Sequence, residues 1–152
     1  MQTRPPWALL ALAASFVGGM VARSAYPQNP PPPKIVLVTS MKVQPSKVDR
    51  YLELEQKTWK PLHQARIKAG NGRSWSLYAA RFPSGTSTSR DYLTINVFDS
   101  MQEFDKYEES LGKVLPQVYP GNSADQLISE TGAIRDIALE ELWIEIDRVD
   151  RE

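Results

Sequence analysis

The stretch SKVDRYLELEQKTWKPLHQARIKA, Ser46 to Ala69, is the longest helix-like run in the chain, and the other elements are placed relative to it. At about 100° per residue with Glu55 at zero, Val48, Leu52, Trp59, Leu62 and Arg66 fall within roughly 60° of it. Tyr51 and His63 flank that stripe, and Lys47, Gln56, Lys60 and Gln64 point away. The spacing predicts an amphipathic helix whose buried stripe starts apolar and then carries an acid, an indole, an imidazole and a guanidinium. Ser46 with Asp49 three residues on is a capping-box variant. Pro61 kinks or restarts the helix, because it lacks a backbone donor and crowds residue 57. Gly70-Asn71-Gly72 stops it.

On the N-terminal side of this run, Lys34 to Val43 sets Ile35, Leu37 and Met41 against Val36 and Val38. It reads as a strand apolar on both faces, bounded by proline on both sides. On the C-terminal side, Arg73 to Phe82 and Asp91 to Asp99 both alternate and make a hairpin across the polar loop Pro83 to Arg90. Ser100 with Glu103 opens a second helix that puts Met101, Phe104, Tyr107 and Leu111 on one face. Leu115 to Gly121 holds two prolines and reads as irregular. Ser123 with Gln126 caps a third helix carrying Leu127, Ile128 and Ile134. Glu141 to Val149 closes the chain as a strand, with Leu142, Ile144 and Ile146 opposite Trp143, Glu145 and Asp147.

The order strand, helix, strand, strand, helix, helix, strand is an α+β, split βαβ plan with one extra helix. By aliphatic content, the helix-packed face is expected to collect Leu77, Leu93, Ile95, Val97, Leu142, Ile144 and Ile146. The opposite face would then hold Tyr78, Phe82, Tyr92, Thr94, Asn96, Phe98 and Trp143. A face so rich in rings needs a cover, and the long helices are already used on the first face. A second copy of the same sheet supplies it, so the expectation is a homodimer with facing sheets.

Composition bounds the function. At 152 residues with 41% hydrophobic content, one domain with a real core is expected. The 18 basic and 18 acidic residues balance, and no basic stripe suits nucleic acid. No cysteine is present and there is a single histidine, so thiolate metal sites are excluded and neither a metal nor a cofactor is expected. Arg4, the apolar run Trp7 to Val17 and the small residues after Gly18-Gly19 read as an export signal over residues 1–24. The apolar run is short of the roughly 20 residues that span a bilayer, so a membrane anchor follows only if the segment stays uncleaved. Residues 25–33, proline-rich, form an extended linker, and residues 34–152 the folded domain. The folded part is therefore expected to be extracytoplasmic, periplasmic or secreted.

Residues 34 to 149 resemble the dimeric α+β-barrel superfamily, which is ferredoxin-like and includes antibiotic-biosynthesis-monooxygenase-type domains. Trp59 to Arg66, Trp75-Ser76-Leu77-Tyr78 and Phe82-Pro83-Ser84-Gly85 also resemble exported bacterial proteins of unassigned function. The resemblance implies a dimeric α+β barrel. Members include cofactor-independent monooxygenases, haem-degrading enzymes and small binding proteins, and fold alone does not choose among them. The haem-degrading members place their histidine on another element than His63, which speaks against haem. Asn96 and Trp59 are the residue types on which the cofactor-free monooxygenases rely.

Two constellations carry candidate chemistry. Glu55, Trp59, His63 and Arg66, spaced four, four and three, lie along one helical ridge. A carboxylate near His63 would raise its pKa and suit it to act as a base or switch, and Arg66 could grip a carboxylate or enolate oxygen. Glu55 and His63 stand about 12 Å apart along the axis, too far to touch. The plain alternative pairs Glu55 and Arg66 with sheet residues such as Arg81 or Glu145 and leaves His63 to pack. In the second constellation, Trp75, Tyr78, Tyr92, Asn96 and Trp143, inward-facing Tyr78, Asn96 and Trp143 would line an aromatic pocket. Its alternative is dimer packing. The expected ligand-binding set is therefore Trp59, His63, Arg66, Tyr78, Asn96 and Trp143, with His63, Arg66 and Glu55 as catalytic candidates. The function expected is an exported small-molecule-binding domain with monooxygenase-like or isomerase-like activity, the alternative a non-catalytic interaction module of the cell envelope.

Overall fold

The computed structural model describes residues 32–82 and 89–149. The expected export signal over 1–24, most of the expected linker over 25–33 and most of the hairpin tip lie outside the described residues. Among those described, no helix is long and apolar enough to cross a membrane.

Four strands, β1 (Ile35–Val43), β2 (Ser74–Ala79), β3 (Tyr92–Phe98) and β4 (Arg135–Ile144), form one antiparallel sheet in the order β2-β3-β1-β4. The helical elements are α1 (Val48–Leu54), α2 (Lys60–Lys68), α3 (Met101–Val118) and α4 (Ala124–Gly132). β1 is central and buries Ile35, Leu37 and Met41 on one side, as its two-faced apolar pattern requires. The hairpin β2–β3 pairs antiparallel as expected.

The Ser46–Ala69 run is one helical path in two α segments, joined by a π-helical turn at Glu55–Trp59. Pro61 explains the joint. It has no N–H to donate to the Lys57 carbonyl, and its ring crowds that oxygen. The ladder widens so that the Lys60 N–H donates to the Glu55 carbonyl, five residues back. The freed Lys57 carbonyl accepts from the Tyr119 hydroxyl at 2.7 Å. Downstream, Gly70 takes φ +74° and the Asn71 N–H reaches back to the Arg66 carbonyl at 2.9 Å, a left-handed helix stop. The two later caps form as read, with Ser100 Oγ accepting from the Glu103 N–H and Ser123 Oγ from the Gln126 N–H.

Three sequence expectations are corrected. The first concerns which side of the sheet the β3 residues face. Leu37 pairs with Asn96, Thr39 with Thr94 and Trp75 with Asn96, so Tyr92, Thr94, Asn96 and Phe98 lie beneath the chain's own helices. Phe98 is fully buried against Phe104 and Tyr107. The outer face instead carries Val36, Val38, Leu93, Ile95 and Val97, together with Tyr78 and Trp143. Aliphatic content misassigned the faces because the helix side is interrupted by polar residues. The second is α3, which runs through Pro116 to Val118. Burying Val114 and Leu115 against Leu62 and Leu127 outweighs the lost backbone bond. The third is β4, which begins at Arg135, six residues before Glu141, because β1 offers a partner along its whole length.

β4 also holds a bulge. Ser40 pairs with Leu139 but Met41 pairs with Ile137, leaving Ala138 as the extra residue. Without it Arg135 and Ile137 would share the outer face with Leu139, Glu141 and Trp143. With it they join Glu140 and Leu142 on the helix side.

Tyr119→Phe removes the donor that serves the Lys57 carbonyl and is expected to cost about 1 kcal/mol in urea unfolding. In a Pro61→Ala background, where an amide is restored, the same change should cost clearly less.

Candidate functional site

Glu55, Trp59, His63 and Arg66 from the helical run, Leu37 and Thr39 from β1, and Thr94 and Asn96 from β3 surround one cavity of about 350 Å³ between helices and sheet. Tyr107, Glu108 and Leu111 of α3, Ile128 of α4, and Arg135, Ile137 and Glu140 of β4 complete its wall. The inversion of β3 thus joins Asn96 to the helical ridge, two features that the sequence reading kept apart. Tyr78 and Trp143 do not join them, since both lie on the outer face and each is at least half exposed. Trp75 faces the helices and stacks on His63 at 4.9 Å, and Tyr92 packs on Tyr51 at 4.8 Å.

The π turn orders the ridge. Before it, Tyr51, Leu54 and Glu55 are buried; after it, Leu62, His63 and Arg66 are. His63 is buried beside Arg66. Its ring lies between Trp75 and Tyr107, nearly parallel to both, with Nδ1 3.4 Å from the Tyr107 hydroxyl. Trp59 is oriented from α4, donating its indole N–H to Thr131 Oγ1 at 3.0 Å, and Thr131 in turn donates to the Leu127 carbonyl.

Arg66 is only 5% exposed. Its guanidinium carbon lies 4.1 Å from the centroid of the Tyr107 ring, and its Nε has no hydrogen-bond partner. No carboxylate among the described residues forms an ion pair with it, so the pairing with Glu145 considered from sequence is not made. Glu55 does find a cation, at Arg135 rather than Arg81, with Nε 3.7 Å from Oε1. That Arg135 Nε is likewise buried without a hydrogen-bond partner. Thr39 Oγ1 donates to Glu140 at 2.9 Å.

Electrostatics separate the three catalytic candidates. Burial, with the Arg66 charge adding to it, pushes His63 down to about 3, so the imidazole is neutral at ordinary pH. Its charged neighbour is a guanidinium, and the sequence-based expectation of a carboxylate raising its pKa is corrected. Glu55 moves the other way. Burial raises it to about 6 against the opposing pull of Arg135 and of the nearby Tyr51 hydroxyl. Burial, partly offset by Arg66, lifts the Tyr107 phenol to about 12.

Arg135, Glu140, Tyr107, Thr94 and Thr39 were missed by sequence reading. Arg135 reaches the cavity only through the Ala138 bulge, which has no sequence signature, and Thr94 and Thr39 follow from the β3 register. Among the described residues no group of three or more acids and histidines is placed to hold a metal ion.

The sheet order with its helices on one face defines an α+β ferredoxin-like fold. It is similar to the crystal structure of HapK from Hahella chejuensis, with a TM-score of 0.53 and 8% identity over 78% of this chain and 98% of that one. It is similar also to a dimeric ferredoxin-like protein from an uncultured marine organism, with a TM-score of 0.55 and 10% identity over 80% and 94%. No family model and no curated protein matches the chain.

The two shifted groups oppose each other on acidification. Folded His63 resists the proton that the unfolded imidazole takes below about pH 6.5, so its contribution to stability falls as pH drops below that value. Folded Glu55 takes a proton near 6, before the unfolded carboxyl does, so its contribution rises as pH falls from there towards the unfolded value. Between about pH 7 and about pH 4.5, His63→Phe should therefore gain about 2.5 kcal/mol relative to wild type, and Glu55→Gln should lose about 1.5 kcal/mol. Denaturant titrations at both pH values read the two divergences.

Proposed function

We propose that this chain is a small-molecule-binding domain whose helix–sheet cavity takes a planar organic anion, with Arg66 gripping its carboxylate or enolate oxygen. The observation that carries this reading is the Arg66 guanidinium, buried at 5% exposure with no carboxylate partner among the described residues and an unused Nε donor. A buried cation without a counter-charge is costly, and a bound anion removes that cost. Asn96 and Thr94 lie on the same cavity floor and add neutral polar groups. Trp59 supplies a flat wall suited to a conjugated ligand, and the Tyr107 ring carries Arg66 on its face. A monooxygenase-like activity is one of those that the superfamily resemblance offers for such a pocket, and an isomerase-like activity is the other chemistry considered for it. The apolar segment within residues 1–24 supports export of the domain to an extracytoplasmic site.

We further propose that the domain works as a homodimer with facing sheets. Val36, Val38, Leu93, Ile95 and Val97 form an aliphatic outer face that no described helix of the chain covers, with Tyr78 and Trp143 half exposed beside them. Such a surface calls for a partner, and one of the similar structures is described as dimeric. The same face supports the second reading, an interaction module of the cell envelope without a ligand.

Calorimetric titration with benzoate and benzamide tests the first reading. Benzoate should bind wild type, benzamide should not, and Arg66→Met should lose benzoate binding while keeping its melting temperature within a few degrees. Equal behaviour of the two ligands removes the anion site and favours the interaction module. For the dimer, Ile95→Lys should shift light-scattering mass from two chains to one.

A further inference from the structure

We propose that Glu55 is the catalytic base of this cavity, removing a proton from a carbon next to a carbonyl at the far end of the anion held by Arg66, while Arg135 receives the charge of the resulting enolate. This rests on the anion-site reading above and adds a reaction to it.

Glu55 and Arg66 line the same cavity and are eleven residues apart on one helical path, about 16 Å of axial rise. That spacing along the helix calls for a molecule with its anionic oxygen at one end and its reactive group at the other, an aryl or polyene carboxylate rather than a short 2-oxo acid. Two buried guanidinium Nε donors lack hydrogen-bond partners, one beside Glu55 and one over Tyr107. Arg66 is matched to the carboxylate, and Arg135, 3.7 Å from Glu55 Oε1, to a carbonyl oxygen beside the base. That separation keeps the Glu55–Arg135 pair short of a closed hydrogen bond, so neither group is used up by the other.

The other ionisable groups around the base do not compete for this role. On its own helical run Tyr51 donates its hydroxyl proton to Met41 Sδ at 3.2 Å and stays protonated, since burial raises its phenol. From α2, His63 is neutral and held between rings. From β4, Glu140 accepts from Thr39. From α3, Tyr107 lies under Arg66, and Glu108 is exposed on the wall. Burial of Glu55 makes its carboxylate a stronger base than an ordinary one while leaving it ionised at neutral pH.

The step balances without a co-reactant. The C–H bond breaks, its proton forms an O–H on the Glu55 carboxyl, and the electron pair moves to the carbonyl oxygen, where the negative charge meets Arg135. Return of a proton from Glu55 to carbon regenerates the base. If Glu55 exchanges with solvent in between, deuterium enters the ligand.

The probe is 4-acetylbenzoate, which has a carboxylate at one end and an enolisable methyl ketone at the other. Its binding is followed by calorimetry and loss of its methyl proton signal by NMR in deuterated buffer. Wild type should bind it and accelerate exchange. Glu55→Gln should bind within a few-fold of wild type yet lose exchange by about 10²-fold, with Glu55→Asp retaining part of it. Arg135→Gln should lower exchange while leaving binding in place, and Arg66→Met should lose both. Binding by wild type without exchange, or exchange that survives Glu55→Gln, overturns the proposal and leaves the anion site standing. Failure of wild type to bind either this probe or benzoate overturns the anion site, and the proposed base with it.

Discussion

The amide that Pro61 lacks shapes everything on the helical side of the cavity. A proline inside the helical run leaves the Lys57 carbonyl without its usual donor, and the backbone answers with a π turn from Glu55 to Trp59. Tyr119, far along the chain, supplies the missing donor. The extra residue in that turn rotates the second α segment about its axis, so that Leu62, His63 and Arg66 share the buried face and Arg66 lies over Tyr107.

The helix side of the sheet is arranged around this ridge as a divided core. One cluster gathers Ile35, Leu37, Phe98 and Tyr107, a second Leu62, Val114, Leu115 and Leu127, and a third Met41, Val43 and Tyr51. Thr39, Thr94, Asn96, Glu55 and Arg66 are buried as well, and they interrupt what would otherwise be continuous apolar packing. Buried polar groups in such number cost stability unless each finds a partner. Two guanidinium Nε atoms here have no hydrogen-bond partner. The polar residues of the helix side and the aliphatic character of the outer side express one arrangement, in which the usual contrast between a greasy interior and a wet exterior of a sheet is weakened.

Much of the fold was legible in the residues. Alternation in β1, the capping serines at 100 and 123, the glycine stop at 70 and the order of elements all act locally, and each appears in the structure. Thr94 and Asn96 were assigned to the wrong side because an alternating strand shows which residues share a face but not which face is inward, and hydrophobicity misleads when the inward face holds a cavity. Glu55, Trp59, His63 and Arg66 could be found by helical spacing. Arg135 and Glu140 could not, since their position depends on pairing with a strand near the other end of the domain and on an unpaired alanine between them. Tyr78 and Trp143 shared a residue type with pocket walls, but the β2–β3 and β1–β4 registers turn them to the outer side.

The strand side on which Arg135 and Ile137 fall is set by whether the number of residues before Leu139 is odd or even, a discrete property with no intermediate value. A chain one residue shorter at Ala138 would keep its fold class and its composition while turning the guanidinium beside Glu55 to the opposite surface. Among homologous chains, length in this short segment would then sort those that keep the cation beside the acid from those that do not, however similar their remaining residues.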